Sequence, residues 1–217
     1  MRVNSILSGT VIILLLIVYM PFITSTSLLH YYYQQAMAQK TATRNNSTTF
    51  TTEQSKEEGA FLTYTNSTYG IKIQFPSNWV YKGSEASNDS VQGIVTFASP
   101  KSLMDGSNKS LIVLTIGIER LPFYNMPLDL YTNLTINHLR ESDPGFRLLG
   151  SDEITFAGIK PAHKIIFTSE SGLKTMAVYA IKADKAYIID YIAGSDPTYS
   201  KYSLIAQKMI NSFQILK

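Results

Sequence analysis

Beyond residue 61 the apolar positions recur with a period of two in some stretches and about 3.6 in others, the signatures of strands and amphipathic helices. Ile71, Ile73 and Phe75 alternate with Lys72 and Gln74, and Pro76 ends the run, so this spacing predicts a half-buried strand. Residues 91–98 and 111–120 read as the next strands, separated by the turn formers Pro100, Asp105-Gly106 and Asn108. From Leu111 to Ile118 both faces are largely apolar, which predicts a central strand covered on both sides. Three further strands, residues 162–169, 173–183 and 186–193, are joined by Glu170-Ser171-Gly172 and by Asp184-Lys185. Connections this short require antiparallel hairpins.

The longer period predicts two helices. Pro127 suits a first helical turn and Asp129 the positive end of the helix dipole. Leu128, Tyr131, Leu134 and His138 then recur at helical spacing until Asp143-Pro144-Gly145 breaks the run. After Asp196-Pro197 a second stripe passes through Tyr199, Tyr202, Ile205, Ala206, Met209, Ile210 and Phe213. Each stripe must be buried, and a mostly antiparallel sheet is the available partner. The expectation is an α+β fold, an antiparallel β-sheet packed by helices, over residues 61–217.

The first 60 residues follow another pattern. Residues 6–20 are almost wholly apolar, and after Arg2 no Lys, Arg, Asp or Glu occurs before Lys40. A membrane span needs about 20 apolar residues and a signal peptide only about 7–15, so the run lies between the two. Pro21 limits the apolar core, and Ala36-Met37-Ala38 offers the small-x-small pattern of a cleavage site. Tyr31-Tyr32-Tyr33 instead suits the interfacial aromatic belt of a retained span. Residues 1–38 are therefore expected to be a signal peptide or an N-terminal membrane anchor, with residues 6–23 contacting the membrane if the segment is retained. Residues 39–60 are rich in Thr, Ser and Asn, and Phe50 is their one large apolar side chain before the domain. Such a segment cannot bury enough surface to offset its chain entropy, and a disordered linker is expected.

Composition changes this picture in three ways. The formal net charge is +3, one unit of it from Arg2, and no basic cluster marks a nucleic-acid-binding face. There is no cysteine, which removes disulfides, thiolate metal sites, Cys nucleophiles and a lipidated Cys anchor. Asn45, Asn46, Asn66, Asn88, Asn108 and Asn133 each open an Asn-x-Ser/Thr triplet. Chance gives roughly two such triplets in a chain of this composition. The excess predicts either a glycosylated outward-facing surface or a clustering of Asn, Ser and Thr in turns. Asn133 falls in the first predicted helix and is the weakest acceptor of the six.

No constellation of catalytic residues stands out. His30, His138 and His163 have no further His, Asp or Glu at metal-ligand spacing. His-Glu-x-x-His, the Gly-x-Ser-x-Gly elbow and the phosphate-binding Gly-rich loop are all absent from the sequence. Asp152-Glu153 stand just before a predicted strand, where consecutive side chains point apart, and Asp190 lies on the face opposite Tyr187, Ile189 and Tyr191. These acids are expected to be solvated, with an oxygen-rich calcium site or an acid/base pair as the alternative. Tyr179, Tyr187, Tyr191, Tyr199 and Tyr202 are either core residues or, if exposed, a recognition surface for a protein or glycan.

Tyr69-Gly70-Ile71-Lys72-Ile73-Gln74-Phe75-Pro76-Ser77-Asn78-Trp79 resembles the opening strand of PsbP-like domains, a Gly-led alternating strand ending in an aromatic, a proline and then a tryptophan. Gly158-Ile159-Lys160-Pro161-Ala162, Tyr187-Ile188-Ile189-Asp190-Tyr191 and the closing Met209-Ile210-Asn211-Ser212-Phe213 are similar to that family's later elements. The resemblance covers residues 61–217 and is carried by packing residues, with Trp79 expected as a core anchor. It implies an α/β/α sandwich and a non-catalytic extrinsic protein without a resident cofactor. Photosynthetic members of the family sit on the luminal side of photosystem II and help retain calcium and chloride there. Calcium enters by this resemblance alone, and no residue can be matched to a photosystem contact.

Together these features predict an extracytoplasmic, non-enzymatic PsbP-like accessory module, secreted or tethered, that binds or stabilises an unidentified envelope protein complex at the outer membrane face. No nucleic-acid partner is expected. The alternatives are a carrier of a small ligand or lipid between helix and sheet, and an enzyme or calcium-binding protein with a dispersed carboxylate site.

Overall fold

The computed structural model describes residues 60–83, 91–100, 111–194 and 196–216. The leader at 1–38, nearly all of the 39–60 linker, and Asn45, Asn46, Asn88 and Asn108 lie outside the described residues. The chain runs β1 (Phe61–Asn66), β2 (Ile71–Pro76), β3 (Val80–Gly83), β4 (Val91–Ala98), β5 (Ile112–Arg120), α1 (Leu128–Ser142), β6 (Arg147–Phe156), β7 (Ile159–Thr168), β8 (Lys174–Lys182), β9 (Lys185–Ala193), α2 (Asp196–Ser212) and β10 (Gln214–Ile215). Seven strands form one sheet in the order β3-β4-β5-β9-β8-β7-β6, and β1-β2-β10 form a smaller one. Every neighbouring pair is antiparallel.

Strand β5 lies between β4 and β9, which explains its apolar residues on both faces. Its Ile112, Leu114, Ile116 and Ile118 join the larger core, to which α2 contributes Ala206, Met209 and Ile210, and β2 contributes Ile71, Ile73 and Phe75. On the opposite face Tyr131, Ile136 and Leu139 of α1 pack with Ile165, Phe167, Ala177 and Tyr179. Helices thus cover both faces of the seven-stranded sheet, the α+β layering that the sequence resemblance implied. Trp79 is buried in the larger core, as a packing anchor should be. Among the described residues no helix is long and apolar enough to cross a membrane.

Several local expectations are corrected. Leu134 is 42% exposed, and α1 buries Tyr131, Thr132, Ile136 and Leu139 instead. At 100° per residue Leu134 falls outside the arc centred on Leu128 and Leu139, so the stripe is rotated towards Thr132 and Ile136. Asp152 and Glu153 lie within β6, not before a strand. Strands β1, β3, β6 and β10 carry too few alternating apolar side chains to announce themselves. The burial of β3 shows why, all four of its residues being exposed.

Candidate functional site

Polar groups gather in one layer beneath α1. The register places Thr96 beside Thr115, Thr115 beside Asp190, and Asp190 beside Ala177, so the first three share one row across β4, β5 and β9. Thr115 is buried and Asp190 half-buried. Asp190 therefore is not the solvated acid expected from sequence. Alternation does set it on the face opposite Ile189, but that second face is covered by α1 rather than by water. Burial alone pushes its carboxyl up to about 7. In the adjoining row Tyr179 is almost fully buried, and burial raises its hydroxyl to about 12. Asp190 adds to that rise, while Thr132, whose own hydroxyl donates to the Leu128 carbonyl at 2.8 Å, offsets part of it.

A second acid enters the layer from β5. Tyr131 of α1 donates its hydroxyl to Glu119 Oε2 at 2.7 Å, and its ring meets that of Tyr179 edge-on with centroids 5.3 Å apart. Burial raises the Glu119 carboxyl, and the Tyr131 hydrogen bond partly counters the rise. Glu119 pairs with Ala186 whereas Thr115 pairs with Asp190, so the two acids sit four residues apart in register. That separates their backbones by roughly 13 Å along the strands. Asp190 can hold a proton near neutral pH, and the layer can rigidify the join between α1 and the sheet. Sequence reasoning missed Glu119 and Tyr131; the signal was there in Thr115, Gly117 and Glu119, which break the apolar run at a period of two.

A separate cleft of ≈ 670 Å³ lies between the β6–β7 hairpin and the end of α2. Ile154, Phe156, Val178, Ile210 and Phe213 form its apolar wall, and Lys164, Gln207 and Asn211 its polar side. Phe156 and Phe213 stack with centroids 5.2 Å apart. Lys164 is held by Asp152 at 3.0 Å.

The other sequence candidates are scattered. Tyr179, Tyr187, Tyr191 and Tyr199 are buried and Tyr202 is half-buried against the larger core, so these five are packing residues and form no exposed recognition surface. Tyr191 donates its hydroxyl to the Tyr199 carbonyl at 2.9 Å, which satisfies a polar tip that would otherwise oppose burial. Glu153 pairs in register with His163, and His163 Nε2 lies 2.8 Å from Ser151 Oγ. Asp152, Glu153 and Asp190 are therefore not brought together. Among the described residues no group of three or more His, Asp or Glu side chains could hold a metal ion. Asn133 is exposed on α1, whereas Asn66 is half-buried with Nδ2 donating to Tyr64 Oη and Oδ1 accepting from the Tyr69 amide, both at 3.2 Å.

A family model described as "PsbP-like protein" matches residues 11–215, which takes in part of the N-terminal apolar run and all the described strands and helices. The chain belongs to the PsbP-like family. Among solved structures, the solution structure of cyanobacterial PsbP from Synechocystis is similar over 76% of this chain and 98% of that one, at 10% identity and a TM-score of 0.54. LpqN of Mycobacterium tuberculosis, described as involved in cell envelope biogenesis, aligns over 75% of this chain and 87% of that one at 12% identity and TM-score 0.49. The Saccharomyces cerevisiae Ran-binding protein Mog1p aligns over 73% and 97% respectively, at 9% identity and TM-score 0.46. At these identities the likeness to cyanobacterial PsbP speaks for the PsbP-like fold and not for a shared partner. A search of curated protein sequences found no match.

Proposed function

We propose that this PsbP-like chain is an exported, non-enzymatic accessory module that binds and stabilises a partner protein complex at the outer face of a membrane. The observation that carries this reading is the extent of the family match, which begins at residue 11 inside the apolar run and continues to residue 215. The apolar run and the folded domain thus fall within one family match. The domain's acids and tyrosines support the reading, because they tie elements together: Asp152 to Lys164, Lys174 to Asp196, Glu119 to Tyr131 and Tyr191 to Tyr199. The test is purification of the full chain from gently solubilised membranes of its own host. The same partner should return in several detergents; repeated recovery of the chain alone would refute the proposal.

The cleft beside Lys164 favours a second reading, a carrier of a small ligand. Its volume falls in the range of small-molecule sites. Native mass spectrometry of host-derived protein separates the two readings, since a carrier retains an added mass and an accessory module retains a protein.

A further inference from the structure

Three cations stand in one row at the end of the seven-stranded sheet. Arg120 is the cross-strand partner of Lys185, and Lys185 is the partner of Lys182. In-register neighbours point to the same side, so three like charges project together from β5, β9 and β8. All three residues are exposed, and none takes part in an ion pair between described residues. Directly opposed like charges destabilise a sheet. The nearest acids in sequence do little to balance them: Asp184, half-buried, sits in the turn, and Glu119 accepts from Tyr131.

The loop that follows β5 is fastened to this same turn. Leu121 N–H donates to the Asp184 carbonyl at 2.8 Å, and Asn125 N–H to the Ala183 carbonyl at 2.9 Å. Between those two bonds the chain exposes Phe123 at 48% and Tyr124 at 69%. Leu121 and Met126, which flank the pair, are buried in the core under α1. The backbone is thus pinned at both sides while two aromatic rings are held out in solvent.

We infer that this corner, with Phe123 and Tyr124 beside Arg120, Lys182 and Lys185, docks the domain onto an anionic lipid surface. Aromatic side chains enter the interfacial zone of a bilayer, and basic residues beside them are drawn to acidic headgroups. Charge complementarity selects this occupant: an anionic surface relieves the repulsion of the basic row and takes up the rings together. The inference deepens the proposed membrane-face role but is read from the folded domain alone. The chain enters the domain near the other end of the sheet, where the Ala60 carbonyl accepts from Ser77 N–H close to β3. Strand β5 separates the two ends by roughly 27 Å, and residues 39–60 fully extended reach roughly 75 Å, so a retained anchor permits the contact.

The test uses the full chain carrying Tyr124→Trp, in vesicles containing bromine-labelled lipid; the buried Trp79 supplies a constant background. Emission from the introduced indole should be quenched in vesicles of equal parts phosphatidylglycerol and phosphatidylcholine and much less in phosphatidylcholine alone. Replacing Arg120, Lys182 and Lys185 by Gln should shift the balance between docked and undocked domain by roughly 100-fold and abolish the difference between the two lipids. Raising the salt on the chain with all three cations intact should do the same by screening, with no risk to folding. Absent quenching in both vesicles, or quenching unmoved by lipid charge, salt and the Gln replacements, would overturn the inference. Quenching that requires other membrane proteins would also overturn it, assigning the corner to a protein partner. The dependence on lipid charge, salt and the Gln replacements is read in purified vesicles and so is independent of whether a host partner complex is recovered.

Discussion

The hydroxyl of Tyr131 donates to Glu119 Oε2 at 2.7 Å, joining the first helix to the central strand through a buried layer. Because the hydrogen bond favours the ionised carboxylate, Tyr131→Phe should raise the Glu119 pKa further and cost about 1–3 kcal/mol of stability at neutral pH. Glu119→Gln, which keeps an acceptor and removes the charge, should cost less. Denaturant unfolding of both variants at neutral pH checks the order.

Asp190 sets a second prediction. Its folded-state carboxyl titrates near 7 while an unfolded aspartate titrates near its ordinary value of 3.8. Between these values the folded chain holds a proton that the unfolded chain has lost. Stability should therefore be greatest at low pH for this group and fall as pH rises through that window, by at most about 1.4 kcal/mol per pH unit. Glu119, also raised, acts in the same direction. Asp190→Asn should flatten the pH dependence between pH 5 and 7 and be the more stable chain at pH 8, measured by urea titration. A variant with an unchanged slope would contradict this account.

The end of α1 is tied to the β7–β8 turn. Asp143 Oδ1 accepts from Gly145 N–H at 2.9 Å and from Glu170 N–H at 3.1 Å. A Cβ placed on Gly145 would lie 2.3 Å from Glu170 Cα, closer than carbon atoms can approach. Gly145→Ala should separate the two segments and cost about 3 kcal/mol or more. Gly172→Ala, at φ +77° with open space around it, should cost only about 1–2 kcal/mol. Thermal unfolding of the pair distinguishes packing from backbone strain.

The β6–β7 hairpin turns through Ala157 and Gly158, with φ of 52° and 77°. Two positive φ values suit Asn-Gly or Gly-Gly far better than Ala-Gly. Ala157→Gly should relieve left-handed strain and raise stability by about 1 kcal/mol, seen as a higher unfolding midpoint.

Much of the fold was legible because its interior strands are apolar in the right rhythm. Strands β2, β4, β5, β7, β8 and β9, the hairpins among them and both helices can all be read from residues such as Ile71, Ile73, Phe75 and Met209. Edge strands escape such reading. Strand β3 buries nothing, and β6 alternates only weakly because it ends the sheet. The site was less legible, since sequence gives the face of a residue but not what covers that face. Asp190 looked solvated until α1 closed over it, and the five tyrosines left open as core or surface resolved as core. The basic row escaped notice because Arg120 and Lys182 are 62 positions apart, and only strand register brings them together through Lys185.

The central claim is that the folded domain lies beyond the membrane, and labelling of intact host cells with a membrane-impermeant amine reagent tests it most directly. Exposed Lys201 and Lys208 of α2, which lie outside the proposed lipid-facing corner, should carry the label before lysis, as found by peptide mass spectrometry. Labelling of these lysines only after the cells are broken would contradict the account.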